Sequence, residues 1–316
     1  MRFIVAGALG SMGRRRIRNL KALGYTGIIG YDLIDYKTAK PDCWYTDMLD
    51  EIENFLKNPC EDVPVDGVIV SVPPLKKQKY IDLANRYNVP VFAEADICLY
   101  DGTYQSSSTM RFHPGVAKTK ELLNQMGKVY SFTFHHGSHL SDWRPNGFPP
   151  DYYAAKKESG ACREMMAFEM SWLSYLFGNP TDICGFYGKK LNMENVTADD
   201  YFSTALKMEQ CCGTFQCDMV TRPTIRELRI SAEMGTLVWN WDDSFVSIHY
   251  PEKTVVTYGF TKGEAAPGYN PSICEKMYED ELANFIAAIQ GTEQPMYTRE
   301  EEEAIMKMLA KVEGTW

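Results

Sequence analysis

The sequence predicts an α/β protein of two domains: a parallel-sheet domain over residues 1–115, then an α/β domain with a mostly antiparallel open sheet over residues 116–316. Three observations predict it. The first part alternates short, continuously apolar runs with amphipathic helical patterns, the texture of strands buried on both faces. After about residue 115, strand-like runs follow one another across turn clusters, with few helices between. A glycine-rich turn joins the first strand to the first helix.

"RFIVAG" is the first strand and ends at Gly7. Ile17, Leu20 and Leu23 share one face of the helix that follows, and Gly24 stops it. "GIIGYD" is the second strand, ending at Asp32. Strand, glycine turn, helix, strand and acidic residue make up the dinucleotide-binding (Rossmann) unit. Gly7, Gly10 and Gly13 let the backbone turn and approach a pyrophosphate, and the helix opening near Ser11 aims N–H groups at that anion. The cradle comprises Gly7, Ala8, Leu9, Gly10, Ser11, Met12 and Gly13. Its spacing reads either as Gly7-x-x-Gly10-x-x-Gly13 or as G-x-G-x-x-G with Ala8 in the first glycine position. The plainer reading is an ordinary strand–helix turn. Asp32 can accept from both ribose hydroxyls and would repel a 2′-phosphate, so NAD is favoured over NADP; Arg14 and Lys37 are the residues that argue for NADP.

The pattern continues with a helix in "TDMLDEIENFLKN", N-capped by Thr46, the strand "VDGVIVSVPP", the helix "KKQKYIDLANRYN" and the strand "VPVFAEADI". Ligands sit at the carboxyl ends of such strands, so Ser71, Val72, Pro73, Pro74 and Glu94 are expected to ring the cofactor. In the second half, "GKVYSFTFHHGSHL", "DICGFYGKKL", "DYFSTALKMEQCCGTFQCDMVT", "IRELRISAEMGTLVWNW", "SFVSIHY" and "KTVVTYGF" read as strands. "CREMMAFEMSWLSYLFG" is a helix, and two more close the chain and can pack back on the first domain. The acidic run in the last one, "REEEEA", reads as a solvated face.

The net charge of −9 and the absence of a basic stripe exclude a general nucleic-acid footprint. No apolar run is long enough for a bilayer, and the chain opens on a strand with no leader, so a cytoplasmic protein is expected. The nine cysteines lack paired metal-site spacing and read as reduced core residues, with no metal site.

With these elements in place, the chain resembles the glucose–fructose oxidoreductase / inositol dehydrogenase (Gfo/Idh/MocA) family from end to end. "GSMGRRRIRNL", "VIVSVPP", "MRFHPGVAKTKELLNQMGKVYSFTF", "SAEMGTLVW" and "ELANFIAAIQGTEQP" carry the resemblance. It implies hydride transfer between a nicotinamide and a hydroxyl of a sugar, cyclitol or nucleotide sugar. It also implies an open sheet that walls the active site and often joins subunits, hence a homodimer or homotetramer. The segment "KKESGACRE" resembles a branch associated with surface-sugar biosynthesis, which implies a modified or nucleotide-linked sugar.

Two positions depart from the family. Its E-K-P triplet is Glu94-Ala95-Asp96 here, without the lysine. Its active-site histidine falls on Phe168 and its second acidic position on Ser171; Glu164 can fill the first, and Glu169 sits one residue from the missing histidine. A group must still take the hydroxyl proton as hydride leaves. Lys157 or Lys156 is the expected acid/base, with Glu164 and Arg163 orienting substrate; the alternative is that both lysines are solvated. His113 either binds substrate or caps the helix that begins at Pro114. Trp143 suits a sugar ring and Arg144 an anionic substituent, unless their segment is an ordinary surface loop; Tyr152 and Tyr153 are similar. The two losses also admit a redox-silent sensor or partner subunit, or a member that uses held NAD for epimerisation or elimination.

Overall fold

The computed structural model describes residues 1–34, 42–57, 64–95, 97–143, 152–267 and 273–314. The chain divides into two compact units: residues 1–109 with 277–299, and residues 110–276 with 300–316. The first begins β1 (Arg2–Ala6), α1 (Ser11–Ala22), β2 (Gly27–Tyr31), β3 (Trp44–Thr46), α2 (Leu49–Lys57), β4 (Gly67–Val70), α3 (Gln78–Arg86), β5 (Val91–Ala93) and β6 (Gln105–Ser106). The second runs α4 (Pro114–Leu123), β7 (Val129–His139), α5 (Leu140–Trp143), α6 (Cys162–Phe177), β8 (Pro180–Gly188), β9 (Tyr201–Met208), β10 (Cys212–Asp218), β11 (Val220–Ala232), β12 (Gly235–Asn240), β13 (Phe245–His249) and β14 (Val255–Gly259). Helix α7 (Glu275–Ile289) then belongs from Met277 onward to the first unit, and α8 (Arg299–Val312) from Glu300 onward to the second.

In the first unit all neighbouring strands are parallel, in the order β3-β2-β1-β4-β5-β6. Alternate residues of β1 feed two separate cores. Phe3 and Val5 pack with Ile17 and Leu20 of α1 and with Leu282, Phe285 and Ile286 of α7. Ile4 and Ala6 pack with Ile52 of α2 and with Tyr80 and Ile81 of α3. Burial on both faces is why these strands read as unbroken apolar runs. Strands β3 and β6 are too short to register as patterns. Thr46 ends β3 rather than capping a helix: its hydroxyl accepts from the Met48 amide at 3.0 Å, and α2 starts at Leu49.

The second unit holds an eight-stranded sheet, β14-β13-β12-β11-β7-β10-β9-β8, antiparallel except for β7 beside β10. One face is apolar and buried, with Phe132, Phe134, Phe202, Phe215, Leu228, Trp239 and Val246 beneath α4 and α6. The other carries exposed Ser131, Thr133, Ser203, Ala205, Thr214 and Arg229. This is the alternation expected of a sheet covered on one side. The acidic run of α8 is not wholly solvated: Glu301 takes Arg111 at 2.8 Å, and Glu302 is buried. Among the described cysteines, Cys184 and Cys212 are exposed rather than in the core. No described helix is long and apolar enough to cross a membrane.

Candidate functional site

In the first unit the chain leaves β1 into Gly7, whose φ of 82° lies in the left-handed region. A Cβ on Gly7 would stand 2.6 Å from the Ser71 carbonyl oxygen, and one on Gly13 would stand 2.0 Å from the Gly7 carbonyl oxygen. Only hydrogen fits at either place, because both neighbours are backbone. Gly10 is different: its φ is −68°, and its nearest neighbour would be 3.3 Å away. It is the N-cap of α1 and offers no side-chain cap. The Gly10 amide donates to the Gly7 carbonyl at 3.0 Å. Asp32 is pinned beside this turn, accepting the Leu9 amide on one oxygen (3.0 Å) and the Leu33 amide on the other (2.8 Å).

These residues fit a dinucleotide. The helix opening carries no side-chain cap, so its positive end is available to a pyrophosphate. Each Asp32 oxygen keeps a second lone pair for a ribose hydroxyl. Arg14 turns its Nε to the Leu9 carbonyl at 2.9 Å. Leu33, Ile34 and Leu75 are exposed apolar side chains at the ends of β2 and β4. Ser11 is exposed, Ala8 buried, and Leu9 and Met12 half-buried. Lys37 and Asp96 lie outside the described residues.

Ser71 and Glu94 do come together, though through each other. The Ser71 hydroxyl donates to Glu94 at 3.0 Å, while Arg16, fully buried, takes the same carboxylate with two bonds of 2.7 and 2.8 Å. Burial would raise the Glu94 carboxyl, and the Arg16 guanidinium overrides it and lowers it. Arg16 also reaches Glu281 at 2.6 Å, and Glu281 accepts Ser107, Ser108 and Thr109. Lys77, 1% exposed, donates to the Glu94 and Ala95 carbonyls at 2.7 and 3.3 Å. An ammonium therefore does occupy the end of β5, delivered from the foot of α3. Helical periodicity around "LKKQKY" conceals it. Val72 is half-buried, Pro73 exposed and Pro74 buried in the turn that follows β4.

In the second unit a polar cluster centres on Glu169, buried on α6. Its carboxylate pairs with His136 Nδ1 at 2.7 Å, accepts Arg226 Nη2 at 2.7 and 2.8 Å, and accepts the Trp172 indole at 2.6 Å. Burial pushes this carboxyl up, yet Arg226 and His136 outweigh burial and hold it at about 2. The Phe168 ring lies 5.6 Å from the Arg226 guanidinium, which also sits 4.7 Å over Trp241. The Ser171 hydroxyl is spent on the Phe168 carbonyl. Sequence reading missed His136 and Arg226. Their only signal is alternation: His136 continues the inward series Phe132, Phe134 on β7, and Arg226 is its cross-strand partner on β11.

The other expected residues are scattered. Lys157 is 63% exposed, 3.8 Å from Asp199, and Lys156 is half-buried. The Tyr153 hydroxyl donates to Glu164 at 3.2 Å. Arg163 pairs with Glu313 at 2.7 Å. The Trp143 indole donates to Ser138 at 3.1 Å. His113 is wholly buried; its Nδ1 accepts the Gly115 amide as the cap of α4, and its ring stacks on Trp241. That position serves the helix and presents no surface to a ligand. Arg144 lies outside the described residues.

Comparison with known proteins agrees with this architecture. A search of the curated proteins finds no match to this sequence. Among solved structures, an oxidoreductase from Agrobacterium radiobacter, in complex with NAD+, L-tartaric acid and magnesium, superposes with a TM-score of 0.79 at 10% identity over 100% of this chain and 96% of that one. A myo-inositol 2-dehydrogenase from Lactobacillus plantarum gives 0.74 at 13% over 100% and 96%. A levoglucosan dehydrogenase in complex with NADH and levoglucosan gives 0.76 at 14% over 98% and 97%. At such identities these likenesses establish the fold. Residues 116–238 match the GFO/IDH/MocA C-terminal domain, so this part of the chain is similar to that domain.

Proposed function

We propose that this chain is an NAD-linked oxidoreductase that moves a hydride between the nicotinamide and a hydroxyl or keto carbon of a sugar or nucleotide sugar. One observation carries the reading: Gly7 and Gly13 admit only hydrogen where the turn meets backbone beneath the open end of α1, with the Asp32 carboxylate pinned beside it, a shape that suits a pyrophosphate and a ribose. Structural neighbours crystallised with NAD+ or NADH support it, and neighbours that are sugar or inositol dehydrogenases support the substrate class. Arg14, turned to a loop carbonyl, favours NAD over NADP.

Bound there, the nicotinamide supplies the place the hydride goes to or comes from. The chain supplies the rest. The turn from Gly7 to Gly13 would hold the pyrophosphate, Asp32 would accept from the ribose, and Ser71, Val72, Pro73 and Pro74 would border the cofactor. Glu94 would stand behind that border, bonded to Ser71 and Arg16. A proton acceptor is still required. Glu164 and Arg163 would orient substrate and Trp143 would stack on a sugar ring, while Lys156 and Lys157, before α6, stand half-buried and exposed. The open sheet face, with its short side chains, is the surface for a second copy of the chain.

The test has two stages. NADH and NADPH are titrated by fluorescence; tighter NADH binding that is lost in Asp32→Ala is expected, and binding of neither nucleotide sinks the reading. The protein with NAD+ is then offered a panel of sugars and nucleotide sugars while reduced nicotinamide is followed by absorbance. Tight binding with no turnover on any of them favours the redox-silent reading, motivated by Phe168 and Ala95. Light scattering that returns the mass of one chain removes the second copy.

A further inference from the structure

The geometry points to His136 as the group that takes and returns the substrate hydroxyl proton, reached from a sheet strand rather than from α6, with Glu169 and Arg226 as its positioning residues. This rests on the oxidoreductase reading above.

The argument begins with Glu169. Its carboxylate is buried, and two bonds from Arg226 keep it ionised. An ionised carboxylate can only accept, so the hydrogen in its 2.7 Å contact with His136 belongs to Nδ1. That fixes the tautomer: in the neutral ring the lone pair lies on Nε2. Nε2 has no hydrogen-bond partner among the described residues, and it is not one of the polar atoms sealed from solvent. The side chain as a whole keeps 12% exposure. The result is an imidazole oriented at one nitrogen by a buried anion and open at the other, the arrangement of a general base.

The charges facing the ring suit that task. Glu169 comes from α6 and Arg226 from β11, and Cys217 of β10 is the remaining neighbour in register. Glu169 and Arg226 cancel while the ring is neutral. A proton gained at Nε2 would face the carboxylate 2.7 Å from Nδ1, and Arg226 bonds that same carboxylate. Retaining a buried ion pair, which often costs as much as it contributes, makes sense if it orients a working group. The other histidines differ. His113 is sealed, His139 and His249 pair with serines, and His135 faces the uncovered side of the sheet, with Asp218 on Nε2.

The step balances as follows. A nicotinamide, when bound, would supply the hydride acceptor: the hydrogen of the substrate C–H bond would leave with both bonding electrons, and the oxidised ring would be reduced by them. The O–H bond breaks, its electron pair becomes the second bond of the carbonyl, and its proton goes to His136 Nε2. Reduction of a keto group runs the same transfers backwards.

The experiment compares wild type, His136→Asn, His136→Gln, Glu169→Gln and His135→Asn. Expected for both His136 variants is a loss in kcat/KM of about 10²–10⁴-fold, with loss of one limb of the pH profile and unchanged NADH affinity. Glu169→Gln shifts that limb, and His135→Asn leaves turnover alone. A second readout needs no turnover: the histidine ring signal absent from His136→Asn is followed by NMR, and a saturating sugar with NADH moves it in wild type. Wild-type turnover that persists in a folded His136 variant overturns the role while the oxidoreductase reading stands. So does a ring signal that saturating sugar leaves in place. Should wild type bind NADH yet oxidise nothing, the oxidoreductase reading falls and takes the role with it.

Discussion

The turn after β1 and the cluster under α6 solve opposite problems. The turn works by what it lacks: hydrogen at Gly7 and Gly13 where any carbon would meet backbone, and no cap at Gly10. The cluster works by what it gathers: three side chains from α6, β7 and β11 around one buried carboxylate. The first is steric and local. The second is electrostatic and assembled, and fails when one partner is removed.

Arg226→Met is the largest expected break. It leaves Glu169 buried against His136 and Trp172 alone, and removing one partner of a buried pair costs about 3–5 kcal/mol. Chemical denaturation of the variant measures it. A double change, Arg226→Met with Glu169→Leu, is expected to recover much of the loss, because replacing a buried pair by apolar groups is often neutral. A double variant as unstable as the single one would show that packing, not the uncompensated charge, carries the cost.

The difference in mechanism also explains which region can be read from the sequence. Gly7, Gly13 and Asp32 fall within one strand–turn–helix–strand, so spacing along the chain encodes their meeting. The same holds for the period-2 strands of the second unit. Glu169 meets His136 across 33 residues and Arg226 across 57, through the register of β7 with β11 and the seating of α6. No local pattern encodes that. The position in α6 where the resemblance expects a histidine holds Phe168, and the segment before it supplies lysines that the fold leaves to solvent or half-buried. Lys77 escapes for the same reason, since its target carbonyls lie 17 and 18 residues on.

Acid titration separates two buried groups by pH window. Burial, then Arg226 and Lys262, lower His113 from 6.5 to about 3. The unfolded chain takes that proton first, so stability falls as pH drops from 6.5 toward 3. Glu169 is held at about 2 against 4.5. Its contribution is whole above pH 4.5 and is lost as pH falls toward 2, amounting to ~3 kcal/mol at about 1.4 kcal/mol per unit. His113→Asn, which can still accept the Gly115 amide, is expected to flatten the upper window, and Glu169→Gln the lower. Stability curves whose slopes stay unchanged in both variants would remove the electrostatic half of the comparison.

The steric half is tested by an unequal pair. Gly13→Ala puts carbon 2.0 Å from a backbone oxygen, with an expected cost of about 1–3 kcal/mol and loss of NADH binding. Gly10→Ala places it at 3.3 Å with an ordinary φ and costs less than about 1 kcal/mol. Equal melting temperatures for the two would show that the turn yields where the backbone geometry says it does not.

The smallest expected effect is the sharpest on chemistry. Lys157 is 63% exposed and 3.8 Å from Asp199, a surface pair of the kind worth about 0–1 kcal/mol. A lysine serves as a base where burial strips water from it, and this one keeps its water. Lys157→Ala is therefore expected to melt within about a degree or two of wild type, since surface changes stay within about 0.5 kcal/mol. Its kcat/KM is expected to hold within about threefold, well under the 10²-fold that loss of a general base brings. A fall of that larger size with an unchanged melt would return the proton to the segment before α6. The Glu169 cluster would then be architecture alone.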